Sequence, residues 1–276
     1  MHVNCSSQIV DEKKGSNIQR ICSSCNFSKE HSMTLLTMLE IDGGMLQDAH
    51  LNRASLMLRK QFPDIGSLHT TLYVQALESF GDLKYDPVSK DTDCIQFMYT
   101  GRKHWVTCTI EKGGVTPVIL DSYAALGTTS ETETQLAMLM NCQTEAFQLT
   151  FPSCAQQTVG DNCGLFAIAH ATHFAFTRRI EFVNFDEEKL RQHWNDCILK
   201  GVLTCLPTKH GKKKASKLRH SLTSVYCTCR LPQHYDSSKM YGCEECSEWY
   251  HPRRVNLLEP PEGDYICESC SGNKQG

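Results

Sequence analysis

The stretch GDNCGLFAIAHA, residues 160–171, joins a polar turn to a run of apolar residues around a single cysteine. The run from Gly164 to Ala171 is typical of a buried helix at the centre of a domain. Cys163 then lies at the N-terminus of that helix, where unpaired backbone N–H groups and the helix dipole favour a thiolate. A thiolate is the attacking form of cysteine, so the stretch predicts a nucleophile. A buried structural cysteine is the plainer alternative.

The composition limits the class of protein. The chain has 276 residues, 40% of them hydrophobic, which suffices for one sizeable core and a small additional module. Residues 1–20 are polar and lack the apolar segment of a signal peptide, so we expect the 16 cysteines to lie in a reducing compartment. No apolar run approaches the roughly 18 residues that span a bilayer, so no membrane partner is expected. The formal net charge of −3 gives no general affinity for nucleic acid.

Strand patterns upstream of the cysteine bring a histidine and an aspartate together. Three strands are predicted, over residues 94–99, 105–110 and 116–120. The glycines at 113 and 114 indicate a hairpin between the last two strands. A turn centred between residues 112 and 113 sets His104 opposite Asp121. A carboxylate beside an imidazole fixes its tautomer and stabilises its cation, as a general base requires; a surface histidine and a strand-ending aspartate without chemistry are the alternative.

Other residues around this site also have predicted roles. Gln157 lies six residues before Cys163, where its amide can stabilise an oxyanion together with the backbone N–H of Cys163. Isolated cysteines elsewhere in this part of the chain are expected to be buried structural residues. These are Cys94, Cys108, Cys142, Cys154 and Cys197.

The order of these residues resembles the ubiquitin-like-protein-specific cysteine proteases, the SUMO protease family. In that family a His-Trp pair begins one strand, an Asp ends the next, and a Gln lies six positions before the nucleophilic Cys. The corresponding residues here are His104 followed by Trp105, Asp121, Gln157 and Cys163. The resemblance covers residues 31–200 and implies an α+β fold of the papain-like type with a His-Asp-Cys triad. It also implies hydrolysis after a Gly-Gly C-terminus, or of the isopeptide bond that this terminus forms with lysine.

Two departures from the family pattern concern the substrate and the nucleophile. Asn162 stands where the family usually has Asp directly before the nucleophile. The family also clamps the slim diglycine between two Trp side chains; Trp105 matches the first, and Met45 stands at the position of the second. A methionine thioether is flexible and polarizable, so it can cover a glycine but forms a less rigid wall than an indole. Hydrolase chemistry is therefore better supported than the identity of the modifier.

A ladder of cysteines near the C-terminus has the spacing of metal ligands. It comprises Cys227-x-Cys229, Cys243-x-x-Cys246, Trp249-Tyr250-His251 and Cys267-x-x-Cys270. A segment of about fifty residues buries too little apolar surface to fold alone, and tetrahedral zinc held by thiolates and imidazole supplies the missing stability. Disulfides are disfavoured in a reducing compartment. The pattern resembles a PHD finger, so a small zinc-stabilised module of that type is predicted.

The PHD resemblance implies two interleaved zinc sites. The complete site comprises Cys243, Cys246, Cys267 and Cys270. The other site would use Cys227, Cys229 and His251, but Arg254 replaces the family's final Cys. Arginine does not deprotonate to bind a metal, so this site must accept water, recruit another side chain such as His234, or stay weakly occupied. We expect one firm zinc and a compromised second.

Four residues of the finger match a methyl-lysine cage. In PHD fingers that bind a methylated lysine of the histone H3 tail, the cage positions correspond here to Tyr226, Tyr235, Met240 and Trp249. A quaternary ammonium is attracted to aromatic faces within about 6 Å, by roughly 0.5 to 2 kcal/mol per contact. The alternative is that these side chains pack a small core, as Trp249 often does in zinc fingers.

The composition between the two candidate modules indicates a linker. Residues 205–222 carry six basic residues and no acid, and they lack apolar periodicity. Such a segment also fits a nuclear import signal, and nucleic acid would be contacted at most here. The predicted organisation is a loose tail at 1–30, a SUMO protease-like domain at 31–204, the linker at 205–222, a PHD-type finger at 223–272 and a tail at 273–276. Cys22 and Cys25 are too few for a zinc site in the first tail.

Together these features predict a nuclear cysteine isopeptidase, or processing protease, for SUMO or another ubiquitin-like modifier. The PHD-type finger would direct it to chromatin, and the architecture is like that of mobile-element-derived proteins. The alternative is a catalytically inactive protease-like scaffold whose finger binds methylated histone H3 tails. Reactivity of Cys163 separates the two hypotheses, because a working triad activates this thiol above the other cysteines.

Overall fold

The computed structural model describes residues 44–71, 88–123, 127–211, 217–235, 239–257, 259, 261 and 263–272, together with the backbone of 8–10 and 17–19. The strands are β1 (Gln8–Val10), β2 (Asn17–Gln19), β3 (Gly66–Ser67), β4 (Cys94–Tyr99), β5 (Trp105–Ile110), β6 (Val118–Leu120), β7 (Ala146–Phe151), β8 (Arg219–Ser224), β9 (Tyr241–Gly242) and β10 (Trp249–Tyr250). The α-helices are α1 (Asp48–Gln61), α2 (Ser130–Met140), α3 (Cys163–Thr177), α4 (Glu187–Lys200) and α5 (Glu268–Gly272). Cys22 and Cys25 lie outside the described residues.

Six strands form one mixed sheet in the order β3-β4-β5-β6-β7-β8. β4, β5 and β6 are antiparallel neighbours, whereas β3 runs parallel to β4 and β6 runs parallel to β7. β8 pairs antiparallel with β7 at one edge. A mostly antiparallel sheet covered by separate helices is an α+β architecture, which confirms the predicted fold class at this level.

The central strands β4 and β5 have the bounds predicted from the sequence. Because side chains alternate along a strand, β4 buries residues on both faces of the sheet. Ile95 and Phe97 contribute to one hydrophobic cluster, and Cys94 and Met98 contribute to another. The sheet therefore lies between two layers of helix.

The hairpin between β5 and β6 differs from the predicted one. Thr107 lies opposite Leu120, so the turn centre lies one residue later than predicted, between residues 113 and 114. β6 also begins two residues late, at Val118, because Pro117 has no N–H to donate to the ladder. When the turn centre moves by one residue, each residue of β5 pairs with a residue two positions later in the chain. Because side chains alternate with a period of two, every side chain stays on the face of the sheet that was predicted.

Three helices cover one face of the sheet, and α3 lies between the other two. Twelve of the fifteen residues of α3 are buried, so this helix is apolar on all sides, as the sequence predicted. Thr107 Oγ1 donates to Ala167 O at 2.7 Å, which ties β5 to the middle of α3. α1 begins at Asp48, and Gln47 is its N-cap.

On the opposite face, α2 and the start of the C-terminal module share one hydrophobic cluster with the sheet. Val225 and Leu231 are buried in that cluster. The N–H of Val225 donates to Glu145 O at 2.9 Å. His234 Nε2 lies 3.4 Å from Glu133 Oε2 of α2. The C-terminal module therefore packs directly against the larger domain.

Part of the segment predicted as a linker is also held against the larger domain. The last strand of the sheet, β8, is formed by residues 219–224. Thr208 pairs with Phe185, and Lys209 Nζ lies 3.1 Å from Asp186 Oδ1. The segment thus differs from a fully solvated linker. Its basic side chains can stay in solvent on an edge strand while the backbone completes the ladder.

The N-terminal segment predicted as a loose tail contains two short paired strands. β1 and β2 are antiparallel, with Ile9 opposite Ile18, and such β-branched residues favour an extended backbone. Among the described residues, no helix combines the length and apolar character needed to cross a membrane.

Candidate active site and metal centres

Cys163 is the first residue of α3 and follows a 3-10 turn over Gly160–Asn162. Its backbone is already helical, with φ −53° and ψ −42°, and its side chain is completely buried. The first turn of a helix presents unpaired N–H groups and the positive end of the dipole. The sulfur of Cys163 is therefore at a position that favours negative charge.

His104 and Asp121 lie just outside β5 and β6 and contact each other. His104 Nε2 and Asp121 Oδ1 are 2.6 Å apart, and both side chains are buried. The N–H of Tyr123 donates to the same carboxylate oxygen at 2.8 Å. Because Nε2 is engaged by Asp121, Nδ1 is the ring nitrogen that can exchange a proton with another group.

The electrostatics of His104 link the acid to the sulfur. Burial lowers the pKa of His104, because the charged ring loses its hydration. Hydrogen bonds with Asp121 and with Cys163, together with the charges of both groups, outweigh burial and raise the pKa of His104 from 6.5 to about 9. The structure thus brings His104, Asp121 and Cys163 together, with the imidazole between the other two.

A second thiol close to Asp121 has a different character. Cys154 Sγ donates to Asp121 O at 3.0 Å, and Gln156 Nε2 donates to the same oxygen at 2.9 Å. Burial, with a smaller contribution from the charge of Asp121, raises the pKa of Cys154 to about 12. Cys154 is therefore a neutral donor that anchors the backbone of Asp121. The other cysteines predicted to be structural are also buried: Cys94, Cys108, Cys142 and Cys197.

Gln157 lies beside the site, but its amide is engaged by the loop before Cys163. Ser122 Oγ donates to Gln157 Oε1 at 2.6 Å, and the N–H of Gln157 donates to Ser122 O at 3.0 Å. Gln157 Nε2 donates to Val159 O at 3.0 Å and to Gly160 O at 2.8 Å. The predicted role in an oxyanion hole therefore requires one of these two bonds to be released.

The predicted tunnel residues form a wall over the start of α3. Trp105 is 4% exposed, and its Nε1 donates to Leu46 O at 2.9 Å. The ring centroids of Trp105 and Tyr99 are 5.0 Å apart. A Cβ on Gly164 would lie 2.7 Å from Leu46 Cβ, so the wall passes directly over the residue after the cysteine. Met45 is partly buried against the same cluster.

Four cysteines of the C-terminal module meet in one place. They are Cys243, Cys246, Cys267 and Cys270, and their sulfur atoms all lie within 4.8 Å of one another. Cys246 Sγ and Cys267 Sγ are 3.8 Å apart, which suits thiolates that each lie about 2.3 Å from one tetrahedral zinc. The Tyr250 hydroxyl lies 3.9 Å from Cys246 Sγ and can donate to it. This donor set fits zinc.

A second group contains Cys227, Cys229 and His251, again with ligand atoms within 4.8 Å of one another. His251 is fully buried, and its Nε2 lies 3.0 Å from the carbonyl oxygen of Pro232. His251 Nδ1 then faces Cys229 Sγ at 3.4 Å. A carbonyl that accepts from one ring nitrogen and leaves the other for the metal is the usual support of a metal-binding histidine.

The fourth position of this second group has no evident ligand among the described residues. Arg254 lies in the 3-10 helix Pro252–Val255, three residues after His251, and offers only N–H donors. His234, the substitute considered from the sequence, instead lies 3.4 Å from Glu133 Oε2. The group therefore offers three ligands.

The residues predicted to form a cage differ in exposure. Trp249 is 49% exposed, whereas Met240 is 5% exposed and Tyr226 is partly buried. Tyr235 ends the 3-10 helix Gln233–Tyr235, and its side chain lies outside the described part of the structure. Trp249 lies opposite Gly242 in the β9–β10 pair, so its ring has no side chain opposite it in that ladder.

Comparison with known families assigns the larger domain. A family model described as the Ulp1 protease family, C-terminal catalytic domain, matches residues 59–202, more than half of the chain. The chain belongs to this family. His104, Asp121 and Cys163 all lie within the matched part of this Ulp1-family chain, so the resemblance stated from those residues is confirmed at the level of the family.

Solved structures of Ulp1-like proteins are similar to this chain at low identity. The SUMO protease Ulp1 with its catalytic cysteine oxidized to a sulfenic acid is 14% identical, with a TM-score of 0.46, over 64% of this chain and 96% of that chain. The Chaetomium thermophilum Ulp1-like SUMO protease catalytic domain is 18% identical, with a TM-score of 0.41, over 64% and 91%. At these scores the assignment rests on the family model.

Shorter similarities relate the chain to curated chromatin proteins. The nucleosome-remodeling factor subunit NURF301 of Drosophila melanogaster is 36% identical over 66 residues, 22% of this chain and 2% of that protein. The chromatin remodeling protein SHL of Arabidopsis thaliana is 40% identical over 55 residues, 19% of this chain and 24% of that protein. The chain thus spans only a minor part of the length of these relatives.

Sequence patterns did not reveal that Glu187 contacts the loop before the candidate nucleophile. This first residue of α4 accepts hydrogen bonds from Thr158 and Asn162, in the loop before Cys163. The sequence shows only an acid at this position, and no spacing rule relates it to a loop far upstream. The one available signal was Asn162 in place of the family's usual Asp, because an amide can donate a hydrogen bond to an acceptor and a carboxylate cannot.

Proposed function

We propose that this Ulp1-family chain is a cysteine peptidase or isopeptidase that hydrolyses a glycyl bond of SUMO or another ubiquitin-like modifier. The observation that carries the proposal is the 2.6 Å contact between buried His104 and Asp121, with Cys163 near enough to help raise the pKa of His104. A family match alone would fit an inactive relative equally well. Burying polar groups costs free energy and adds little to packing. Three such groups together in a buried site therefore favour a catalytic role over a structural one.

In the proposed mechanism, His104 Nδ1 takes the proton of Cys163, and the sulfur attacks the carbonyl carbon of the terminal glycine. The carbonyl electron pair moves to oxygen. When the tetrahedral species collapses, the imidazolium gives its proton to the departing nitrogen and a thioester remains. Water then gives one proton to His104 as its oxygen attacks the thioester. The departing sulfur takes that proton back from His104, and the released glycine acid loses its remaining proton to solvent as the carboxylate. Asp121 holds the ring throughout.

The oxyanion in this mechanism is assigned to two donors. The backbone N–H of Cys163 belongs to the first turn of α3, and no carbonyl of its own helix is available to it. The Gln157 amide is the second donor, after it leaves the carbonyl of Val159 or Gly160. A Gln157→Ala variant would then lower kcat more than it changes KM.

Selectivity for glycine follows from the wall over α3. Cys163 has no exposed surface and belongs to the same hydrophobic cluster as Trp105 and Leu46, against which Met45 packs. A substrate chain must therefore enter between these side chains and the start of α3, where a residue without a Cβ needs the least displacement. We assign Trp105 and Met45 to the two sides of that path.

The test of the proposal uses SUMO and other ubiquitin-like proteins with C-terminal electrophiles, applied to the full chain. We expect one member of the panel to label the wild type and to leave Cys163→Ala and His104→Ala unlabelled. A small alkylating agent is a weaker test because Cys163 is buried. Absence of labelling by every member, with a cooperatively folded protein, would contradict the proposal and favour the inactive scaffold.

We also propose that residues 223–272 form a PHD-type zinc finger, following a protease-like domain over 31–204. Support comes from the two ligand groups, four cysteines in one and Cys227, Cys229 and His251 in the other. We assign a firm zinc to the first and a weaker one to the second, since Arg254 supplies no ligand. Counting zinc in wild type, Cys246→Ala and Cys229→Ala tests this, and equal retention in both variants would contradict it.

A reader function for the finger is the second candidate. Trp249 is half exposed, and relatives that share short segments with this chain are named as chromatin proteins. We propose that Trp249, Tyr226, Met240 and Tyr235 bind a methylated lysine of the histone H3 tail. This contact would place the enzyme on chromatin in the nucleus, an arrangement also expected of a mobile-element-derived protein. Binding of trimethylated over unmodified H3 peptide that is lost in Trp249→Ala is the expected result.

A further inference from the structure

Glu187 reaches from α4 to the turn that carries the candidate nucleophile. Its carboxylate accepts from the N–H of Thr158 at 2.9 and 3.1 Å and from Thr158 Oγ1 at 2.6 Å. The N–H of Val159 donates to it at 3.1 Å. One side chain thus holds two consecutive backbone N–H groups of the loop that leads to Cys163.

Asn162 extends this contact to the residue directly before the cysteine. Asn162 Nδ2 donates to Glu187 Oε1 at 3.0 Å, and Arg191 donates to Asn162 Oδ1 at 3.2 Å. Both partners come from α4, one turn apart. The amide is therefore oriented by an acceptor on its nitrogen side and a donor on its oxygen side, which a carboxylate at the same position cannot reproduce.

The charge of Glu187 is stabilised where it lies. Burial raises the pKa of Glu187, but hydrogen bonds from the Thr158 and Asn162 side chains and from the backbone of Thr158 and Val159 outweigh burial, so the pKa is lowered. The group is thus an anion at neutral pH. An Asp in place of Asn162 would put a second anion about 3 Å from the first, where like charges repel.

We infer that Glu187 is a positioning residue for Cys163, and that its carboxylate is the reason why residue 162 is an amide in this chain. The inference rests on the proposed peptidase function. Glu187 touches the loop and not the reacting atoms, so it acts through Asn162 and the backbone of residues 158–159. The same loop carries Gln157, whose amide bonds to Val159 O and Gly160 O.

The test is a double-mutant cycle of Asn162→Asp and Glu187→Gln, measured with the modifier that labels the wild type. We expect N162D to lower kcat roughly 10- to 100-fold, because a displaced nucleophile loses its alignment. KM should change by less than about twofold, since neither residue meets substrate. Adding E187Q to N162D should recover about tenfold, because a Gln amide can donate to the new carboxylate.

A neighbouring variant supplies the control. Glu188→Gln removes the next carboxylate along α4, which is 87% exposed and pairs with Lys209, and we expect wild-type kcat. Wild-type kcat in N162D, or a double variant no more active than N162D, would overturn the inference.

Hydrogen exchange separates this inference from the peptidase proposal, because it requires no substrate. In the free protein, N162D and Glu187→Ala should each speed amide exchange at residues 158–163, and N162D/E187Q should exchange more slowly than N162D. Faster exchange in an enzyme that no modifier labels would uphold the positioning role while the peptidase proposal fails. Unchanged exchange in both single variants would overturn the positioning role.

Discussion

At the scale of single residues, His104 makes the stability of the fold depend on pH. Its pKa is raised from 6.5 to about 9, so the folded state binds the proton more tightly than the unfolded chain does. This contribution is complete below pH 6.5 and is lost as the pH rises through about 9. The interaction that would stabilise an imidazolium in the proposed mechanism is thus measurable without substrate.

An Asp121→Asn variant isolates that interaction. We expect the pKa of His104 to fall, because the amide removes the negative charge and the strongest acceptor at the ring. The free energy of unfolding should then decline less between pH 6.5 and 9 than in the wild type. Activity should drop roughly 10²- to 10⁴-fold in kcat. Urea unfolding at several pH values and NMR titration of the imidazole measure both effects, and an unshifted His104 titration would contradict the assignment.

Residue chemistry explains which parts of the site could be predicted. His104, Asp121 and Cys163 were accessible because their types, order and flanking patterns are each constrained by chemistry. The bonds of Gln157 and Glu187 were not, since they depend on how the loop before Cys163 folds back on itself and on α4. Side-chain amides and acids have too many local partners for sequence spacing to choose among them.

At the scale of elements, hydrophobic alternation predicted β4 and β5 to the residue. The hairpin that follows was placed one residue early because two adjacent glycines allow more than one turn, and Pro117 shortens β6. The basic run before the finger was interpreted as solvated throughout. Its last residues pair with β7. An edge strand with charged side chains lacks the apolar alternation by which a strand is recognised in the sequence.

Gly164, directly after Cys163, and Gly160, three residues before it, give a prediction about how closely the wall over the start of α3 packs on this helix. In Gly164→Ala the new Cβ would lie 2.7 Å from Leu46 Cβ, so the wall must move, at a cost of about 1–3 kcal/mol in the free energy of unfolding. Gly160→Ala is the matched control, because nothing lies within 4 Å of its added Cβ. Thermal unfolding and labelling by the modifier probe should both change in G164A alone. Equal behaviour of the two variants would show that the wall is not packed on α3.

The finger offers a second prediction at this scale, a gain of metal affinity. Arg254→Cys adds a thiolate to the three-ligand group at the position where PHD fingers have one, so the second zinc should be lost at least about tenfold more slowly to a chelator. Arg253→Cys makes the same change at an exposed position one residue earlier. If R253C gains as much as R254C, the added thiol acts nonspecifically and the geometry assigned to this group is wrong.

At the scale of the whole molecule, the C-terminal module proposed as a finger and the Ulp1-family domain share a hydrophobic cluster. Val225 and Leu231 are buried with residues of α2, β5 and β7, and β8 adds the segment before the finger to the sheet. Two independent modules on a flexible linker would unfold separately. Shared burial couples them instead, so we expect metal bound in the proposed finger to stabilise the larger domain through mass action on the folded state.

This coupling can be measured with tryptophan fluorescence. The chain has three tryptophans, and in a Trp249→Phe variant the signal comes from Trp105 and Trp194, both buried in the Ulp1-family domain. We expect zinc chelation to lower the melting midpoint of that signal by at least about 3 °C, since a chain of this size shifts about 2–4 °C per kcal/mol. In the same background, Leu231→Ala should lower the midpoint further, at a cost of about 2–5 kcal/mol. Leu222→Ala, at a position that is 71% exposed on β8, should have little effect. A midpoint indifferent both to chelation and to L231A would mean that the finger folds independently, and any influence of a bound histone tail on catalysis would then have to act through proximity to substrate alone.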